Sequence, residues 1–428
     1  MGGTFDARTS RALGAFGTPL LYAVGAIVLG MSVPRLEARY LPGLTSGAGS
    51  SAALAVLSAI ASGMMPLTGL VFSLAFVMVQ FSATAYSPRL VSWLAGSAIM
   101  NHSLGIFTAT FIYALGALAW VDRGGSATVP LLSVWLAIVL MMVSVVFFVM
   151  LVERLGMLQI ARVLAYTGDH GRAVIERNYA PLQGPESEEA NGGEELPSVS
   201  QVLVHRGGPA VIQAFDVRRL VALAARRDAI VAMALAVGDT VVDGMPLLRV
   251  HGGTRPLPER ALRRRVKLGA ERTFEQDPKY AIRILVDVAI KALSPAINDP
   301  TTAVQSLDQV EDLLRHLGRR NLAAGRSRDA QGKIRLVFPV PSWEDFLVLA
   351  FDEIRFYGAS SIQVMRRMRA LLQDLTEHVP PGRRAALQNY LGRLDKGIRR
   401  NFEDSDDRND ALEEDRQGLG LARERGQE

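Results

Sequence analysis

Hydrophobic positions fall along this chain in two regimes. Up to about residue 152 they come as long runs; beyond it they recur in short helical or alternating patterns among charges. The longest run, Ser51–Leu94, holds no charged residue before Arg89. An uncharged apolar run of more than about 18 residues reads as a bilayer-spanning helix. This one is longer than a span needs at roughly 1.5 Å of rise per residue, so it is expected to tilt, bend or project beyond the lipid. Pro66 lies inside it and predicts a kink or break near Ser62–Pro66, because proline removes a backbone donor and clashes one turn back. Three more runs, Ala15–Val33 ended by Pro34, Met100–Trp120 and Leu131–Val152, bring the expected transmembrane helices to four.

On the long second helix Pro66 is followed by Gly69, Ser73, Gln80 and Thr84, which fall near one face. Small residues let helices approach closely, so packing is the favoured reading of this stripe. The alternative is a wetted surface or pore in which Gln80 and Thr84 offer dipoles to a passing solute. With the second run ending near Tyr86, none of the four runs contains Asp, Glu, Lys or Arg. Proton relays and ion-coupled pumps need such groups at membrane depth, and a proton-driven transporter is disfavoured. His102 opens the third run and reads as an interfacial residue.

Past the spans the pattern changes. Glu153–Tyr179 is amphipathic and reads as a helical continuation of the fourth span. Gln183–Ser198 is an acidic, glycine-containing linker. Val199–His205 and Ala210–Phe215 alternate on either side of Gly207-Gly208-Pro209, the pattern of a hairpin. Asp216 is placed to cap a short helix over Val217–Arg227. Ile230–Ala236, Val241-Val242 and Leu247–Val250 read as further strands. Leu257–Ala270 is strongly basic and is taken as a helix with a solvated face, anionic lipid being the other reading. Tyr280–Leu293, Thr301–Leu317, Ser360–His378 and Arg383–Phe402 read as helices, with Ser342 capping another from Trp343, and Lys333–Val340 alternates as a strand. Glu403–Glu428 is dense in charge and is expected to be disordered or frayed.

The fold class is therefore an α-helical membrane bundle of about four helices, the second long and kinked, followed by a cytoplasmic α+β domain. Its parts are a transmembrane domain with helical extension (1–182), an acidic linker (183–198), a small β-rich module (199–256), a mainly helical soluble domain (257–402) and a charged tail (403–428).

Composition sharpens this picture. The 428 residues carry a formal net charge of +5, and the mean hydropathy is +0.19. Mild basicity in a membrane protein fits anionic headgroups at least as well as nucleic acid. Aromatic residues make up only 7% of the chain, which argues against a nucleic-acid partner. The absence of cysteine excludes disulfides, thiolate catalysis and cysteine-ligated metals. The first run is long and weakly cationic at its start, unlike a cleavable signal peptide. Near the spans, Arg8, Arg11, Arg89, Arg154 and Arg162 lie on one side, and Arg35, Arg39 and Arg123 on the other. The excess places both termini in the cytoplasm of a cell with the protein in its inner membrane.

Three stretches carry a family likeness: Ser58–Leu90, Val237–Val250 (VGDTVVDGMPLLRV) and, the most specific, Arg272–Val310 (RTFEQDPKYAIRILVDVAIKALSPAINDPTTAVQSLDQV). Through them the chain resembles the bacterial predicted membrane protein family known as domain of unknown function 2254 (DUF2254). The likeness runs from the first span to about Tyr390. The family usually has glycine before its Ile-Asn-Asp-Pro run, where this chain has Ala296. The resemblance implies architecture and location; it brings no activity with it. The second stretch also looks like half of a small biotinyl- or lipoyl-type barrel, but it lacks the carrier lysine and reads as structural.

One polar cluster stands out: Arg272, Glu275, Asp277, Asp287, Asn298, Asp299 and Thr301. Its carboxylates, amide and hydroxyl suit a hard cation, yet the spacing matches no metal motif. Helix capping explains the two Asp-Pro pairs, Asp277-Pro278 and Asp299-Pro300, and Asp287 is one turn from Lys291. Capping is the favoured reading, and the metal question stays open. No GxSxG, phosphate loop or dinucleotide fingerprint occurs, and the six histidines are scattered. No catalytic residue is assigned, no cofactor is expected, and an enzyme is the weakest of three readings. The first is a self-associating, homo-oligomeric channel- or pore-like protein with a cytoplasmic regulatory domain. The second is a membrane-anchored sensor or scaffold whose soluble part binds an ion, a small ligand or a protein partner of unknown kind. In either, the bilayer is a partner and nucleic acid is not.

Overall fold

The computed structural model describes residues 6–40, 50–85, 98–123, 131–156, 159–182, 195–322 and 325–421. The expectations for Arg89 and for most of the acidic linker lie outside these. The chain divides into two compact units, Met1–Gln159 and Ile160–Glu428.

The first unit is four helices: α1 (Asp6–Tyr40), α2 (Ser50–Ala85), α3 (Ala98–Arg123) and α4 (Leu131–Gly156). Each contains a stretch long and apolar enough to cross a membrane. Half of the α3 stretch is buried, against 17–28% of the others, so α3 is the hub around which α1, α2 and α4 pack. Glycines set the α1–α3 crossing. A Cβ on Gly116 would stand 3.3 Å from the Cα of Gly30, and one on Gly105 would stand 2.7 Å from the Tyr22 ring. Such close approach is how apolar helices gain packing where lipid offers no hydrophobic drive. Hydroxyls add to it: Thr110 and Ser144 join α3 to α4 at 2.9 Å, and Ser103 donates to the Phe147 carbonyl. His102 is half-buried and bonds the Tyr22 hydroxyl at 3.2 Å.

Neither Pro34 nor the break expected at Pro66 ends a helix. α1 runs on through Pro34 to Tyr40, and α2 is one helix across Pro66. Proline costs a helix one hydrogen bond but does not oblige it to end. Beyond Pro34 the extra turn is secured by Glu37, which is buried at the start of α4. Its Oε1 accepts from Leu132 N at 2.7 Å, and its Oε2 from Ser133 N and Oγ at 3.0 Å each. A carboxylate there satisfies orphan amides and meets the positive end of the helix.

The second unit opens with α5 (Ile160–Asn178). Its apolar face is buried among helices of this unit, so the expected extension of the membrane domain belongs instead to the second unit's core. Gly171 permits this, since a Cβ on it would lie 2.8–2.9 Å from Leu313 and Ala281. Strands β1 (Val199–Val204), β2 (Ala210–Phe215), β3 (Ala229–Met233), β4 (Thr240–Val241), β5 (Pro246–Gly252) and β6 (Val266–Gly269) follow, with α6 (Val217–Ala225) after β2 and α7 (Glu259–Arg263) before β6. Then come α8 (Pro278–Ala292), α9 (Pro300–Leu317), β7 (Arg326–Arg328), β8 (Ile334–Val337), α10 (Trp343–Tyr357), α11 (Ile362–His378), α12 (Pro381–Asn401) and α13 (Ser405–Leu412).

The strands form two sheets, ordered β1-β5-β3-β8-β7 and β4-β2-β6. The predicted β1–β2 hairpin is not made. β1 pairs with β5, and β2 pairs with β4 and β6. Both edges of β2 are taken, one by β4 at Ala210 and Val211 and the other by β6 from Val211 to Phe215, which leaves none for β1. Its partner β6 comes from the basic segment expected to be helical, which keeps only the short α7. β7 and β8 likewise reach the larger sheet from within the region expected to be mainly helical, so the β-rich module is not confined to 199–256. Residues 405–412 of the tail are helical, capped by Asp404 and held by Arg366, which donates to the Asp410 carbonyl. At the core lies α8, whose apolar faces are buried while the stripe Lys279, Arg283, Asp287 and Lys291 stays half-buried, the pattern of an amphipathic helix.

Glu37→Ala leaves the α4 amides without their acceptor and is expected to cost about 1–2 kcal/mol. The check is a lower melting temperature of the detergent-solubilised protein, with Glu37→Gln falling between the two.

Candidate functional site

The seven residues of the polar cluster do not form one site. α8 holds 15 residues, and at about 1.5 Å per residue its ends are roughly 22 Å apart. Arg272, Glu275 and Asp277 precede it, Asp287 lies within it, and Asn298, Asp299 and Thr301 follow it.

At the far end the chemistry is capping, as the sequence suggested. Asp299 accepts from Thr302 N at 3.0 Å and from Thr302 Oγ1 at 2.6 Å, with Pro300 in the first turn of α9. Asn298 has φ +48°, a left-handed position that asparagine tolerates better than most, and Thr301 is exposed. Asp287 pairs with Arg283 at 2.6 Å, and Arg283 also binds Glu353 on α10. Asp287 thus has a partner one turn earlier, besides the Lys291 one turn later that the sequence offers it. Glu275 pairs with Lys267 of β6. Among the described residues, no three His, Asp or Glu come together as metal ligands.

Asp277 behaves differently from Asp299. It stands at the same Asp-Pro position, yet its side chain makes no capping bond. It is buried to 1% exposure, and its Oδ2 accepts from Arg272 Nε at 2.7 Å, with Arg272 Nη2 also 2.7 Å away. Its Oδ1 is buried with no hydrogen-bond partner. Burial pushes the Asp277 carboxyl above the usual carboxylate range, against the opposing pull of Arg272 and Lys279. The same burial, with Asp277 nearby, raises the Tyr179 phenol.

Gly238 makes room for this pair. Its φ is +89°, and a Cβ on it would lie 2.2 Å from Asp277 Oδ2. Next to it, Asp239 accepts from Ala236 N at 2.9 Å and from Lys279 Nζ at 3.3 Å. The Gly238-Asp239 turn and the Arg272–Lys279 segment thus meet, bringing together two of the stretches that carry the family likeness.

Beside this meeting point is a cavity of about 370 Å³, within the size range of small-molecule sites. Phe215, Val237 and Phe338 supply apolar wall; Asp277, Lys279, Arg177 and Arg326 supply charge. Asn178 also lines it, and its Nδ2 is buried without a hydrogen-bond partner. Asn178 Nδ2 and Asp277 Oδ1 are two of eleven buried side-chain atoms without a hydrogen-bond partner among the described residues, so the cavity is marked out by its size and lining rather than by them. Sequence reasoning found Asp277 and Arg272 but missed Asn178, Gly238, Asp239 and Lys279. The signal was the Val-Gly-Asp turn, which read only as punctuation.

On α2 the stripe divides. Pro66, Gly69, Ser73 and Gln80 are exposed, and nothing lies within 4 Å of where a Cβ on Gly69 would be. The packed face is instead Leu57, Ile60, Ala61, Met64 and Val71. Helix packing is the favoured reading of this stripe, and among the described residues no neighbour of this chain stands against Gly69. Thr84 is in the last turn of α2, its side chain outside the described residues.

The profile of the family described as predicted membrane protein DUF2254 matches residues 15–374. An uncharacterised protein of Mycobacterium tuberculosis and one of Mycobacterium bovis are each 30% identical over 370 residues, covering 82% of this chain and 69% of the relative. No solved structure matches.

Two outcomes follow from Asp277 and Gly238. A pKa higher in the folded than in the unfolded state means that folding takes up a proton. The associated stability is complete below the ordinary carboxylate range and is lost as pH rises through the raised pKa of Asp277. Melting temperature should therefore decline across that window, and Asp277→Asn should flatten the decline. Gly238→Ala meets both a strained φ and the Asp277 carboxylate, and should cost more than about 1 kcal/mol in denaturant titration.

Proposed function

We propose that this chain, which belongs to the DUF2254 family of predicted membrane proteins, is a membrane-anchored receptor whose second unit binds a small molecule. The observation that carries the reading is the cavity beside Asp277, walled by Phe215, Val237 and Phe338 and lined by the charged side chains of Arg177, Asp277 and Lys279. Apolar walls with a few charged groups are the usual make-up of a small-molecule pocket. The first unit holds the receptor in the bilayer. The arginines flanking the spans support an inner-membrane location with both termini in the cytoplasm, so that the ligand is cytoplasmic.

A second reading, a homo-oligomeric channel, is favoured by one observation. Gly69, Ser73 and Gln80 are exposed on the helix where self-association or a water path would use them. Four spans seldom enclose a path alone, so this reading requires copies of the chain to assemble.

The receptor reading predicts that the full-length protein in detergent gains melting temperature from at least one member of a panel of neutral, cationic and anionic metabolites. Val237→Trp, which fills the cavity, should abolish the gain; a panel without a single shift refutes it. The channel reading predicts solute flux in proteoliposomes that Gln80→Leu reduces several-fold, and monomeric protein without flux counts against it.

A further inference from the structure

We infer that the second unit carries a surface that docks on anionic lipid headgroups, built from the arginines of α6 and of the segment around α7. The inference is separate from the cavity and its ligand.

The first observation is a segregation of charge. Residues 216–228 and 254–265 hold nine arginines, no lysine and three carboxylates, whereas the rest of the second unit, Ile160–Glu428, carries more Asp and Glu than Lys and Arg. The three carboxylates are engaged: Asp216 with Arg219 at 3.5 Å, Glu259 with Arg263 at 3.9 Å and Asp228 with Arg335 at 2.8 Å. Arg218, Arg226, Arg255, Arg260 and Arg264 are exposed, and among the described residues none has a carboxylate partner. A concentrated field of one sign is complementary to a surface of the other, and a cluster of about four to eight Lys or Arg beside a membrane attracts anionic lipid.

The second is geometry. α6 buries Leu220 and Ala224, and Arg218 and Arg226 stand on the opposite side with the exposed Ala222 between them. α7 buries Leu262, and Arg260 and Arg264, one turn apart, stand opposite to it. Leu220, Ala224 and Leu262 enter one core. A backbone hydrogen bond at either end ties the two segments together. Asp216 N donates to Arg265 O at 2.9 Å, and Thr254 N donates to Arg227 O at 3.1 Å. The exposed arginines therefore occupy neighbouring surface.

The third is the place where this unit is tethered. Glu153 closes the fourth membrane stretch and Ile160 opens the second unit, so a bilayer surface is only a short length of chain away. Guanidinium groups pair with phosphate oxygens through two parallel donors, a match that lysine lacks. Neither segment contains an aromatic residue, so the stacking groups that accompany basic surfaces in single-strand binders are missing.

The chain has no cysteine, so a single one can be introduced as a reporter. Full-length protein carrying Ala222→Cys, labelled with a neutral fluorophore, is placed in nanodiscs of phosphatidylcholine alone or mixed with phosphatidylglycerol. Acrylamide quenching is expected to fall at least twofold in the anionic discs. Salt at about 1 M, which shortens the Debye length to about 3 Å, should restore it. So should Arg218→Gln with Arg226→Gln, and separately Arg260→Gln with Arg264→Gln; these side chains are exposed and unpaired, so both double variants should keep their melting temperature. A label at Gln388→Cys, on α12, serves as the control and should be quenched equally in both discs. Equal quenching at position 222 in the two discs overturns the inference. A fall that survives in both double variants, or that occurs equally at position 388, overturns it as well. A single-stranded oligonucleotide added to the phosphatidylcholine discs should leave quenching at 222 unchanged. Arginine-dependent protection by the oligonucleotide, without protection by anionic lipid, would assign the surface to nucleic acid instead.

Discussion

A carboxylate buried at the start of α8 holds the second unit's parts in register. Asp277 stays there because Arg272 reaches it from five residues back and because Gly238 has no side chain to displace it. That arrangement joins a helix start, the turn before β4 and the segment after β6. Desolvating a charge is expensive unless it is paired and bonded, so each neighbour is constrained by the need to keep the ion pair intact. Lys279 and Asp239 repeat the link a short way off. The smaller sheet and the start of α8 therefore meet at a polar joint, and the cavity lies beside it.

Much of the helical architecture was legible in the sequence, because its causes are local. The four apolar runs, the periodicity of α8 to α12 and the caps at Asp216, Asp299 and Ser342 all follow from residues within a few positions of one another. Ser342 completes a capping box with Asp345. The sheets were less legible. β2 pairs with β6 from some fifty residues on, while β8 pairs in parallel with β3 from about a hundred residues away. Alternation gives a strand's faces but not its neighbour, and the nearest turn pointed to a hairpin that the pairing of β2 with β4 and β6 excludes. The glycines of α5 were opaque for a similar reason: Gly171 has meaning only once Ala281 and Leu313 stand against it.

The site was half legible. Residue types flagged both Asp-Pro pairs and proposed one role for them. Asp299 performs it and Asp277 does not, because a nearby guanidinium competes for the second carboxylate. Local sequence places an aspartate at a helix start; whether it caps the helix or turns away depends on what the rest of the chain delivers there. The α2 stripe shows the same limit, since a small-residue face can be read from spacing, but whether the chain's own helices use it cannot.

Two buried carboxylates allow structure and site to be told apart by one physical criterion. Glu37 has both oxygens engaged, one by Leu132 and the other twice by Ser133. Nothing remains for a ligand to add, and its role is to fasten α1 to the start of α4. Asp277 has one oxygen held by Arg272 and the other unsatisfied, with the unsatisfied amide of Asn178 along the same cavity. A buried network that is complete rigidifies a fold, whereas an incomplete one costs stability for as long as it stays incomplete. Glu37 is thus a fastening, whereas Asp277, paired through one oxygen and standing at the wall of a cavity, keeps hydrogen-bonding capacity that the described residues do not use.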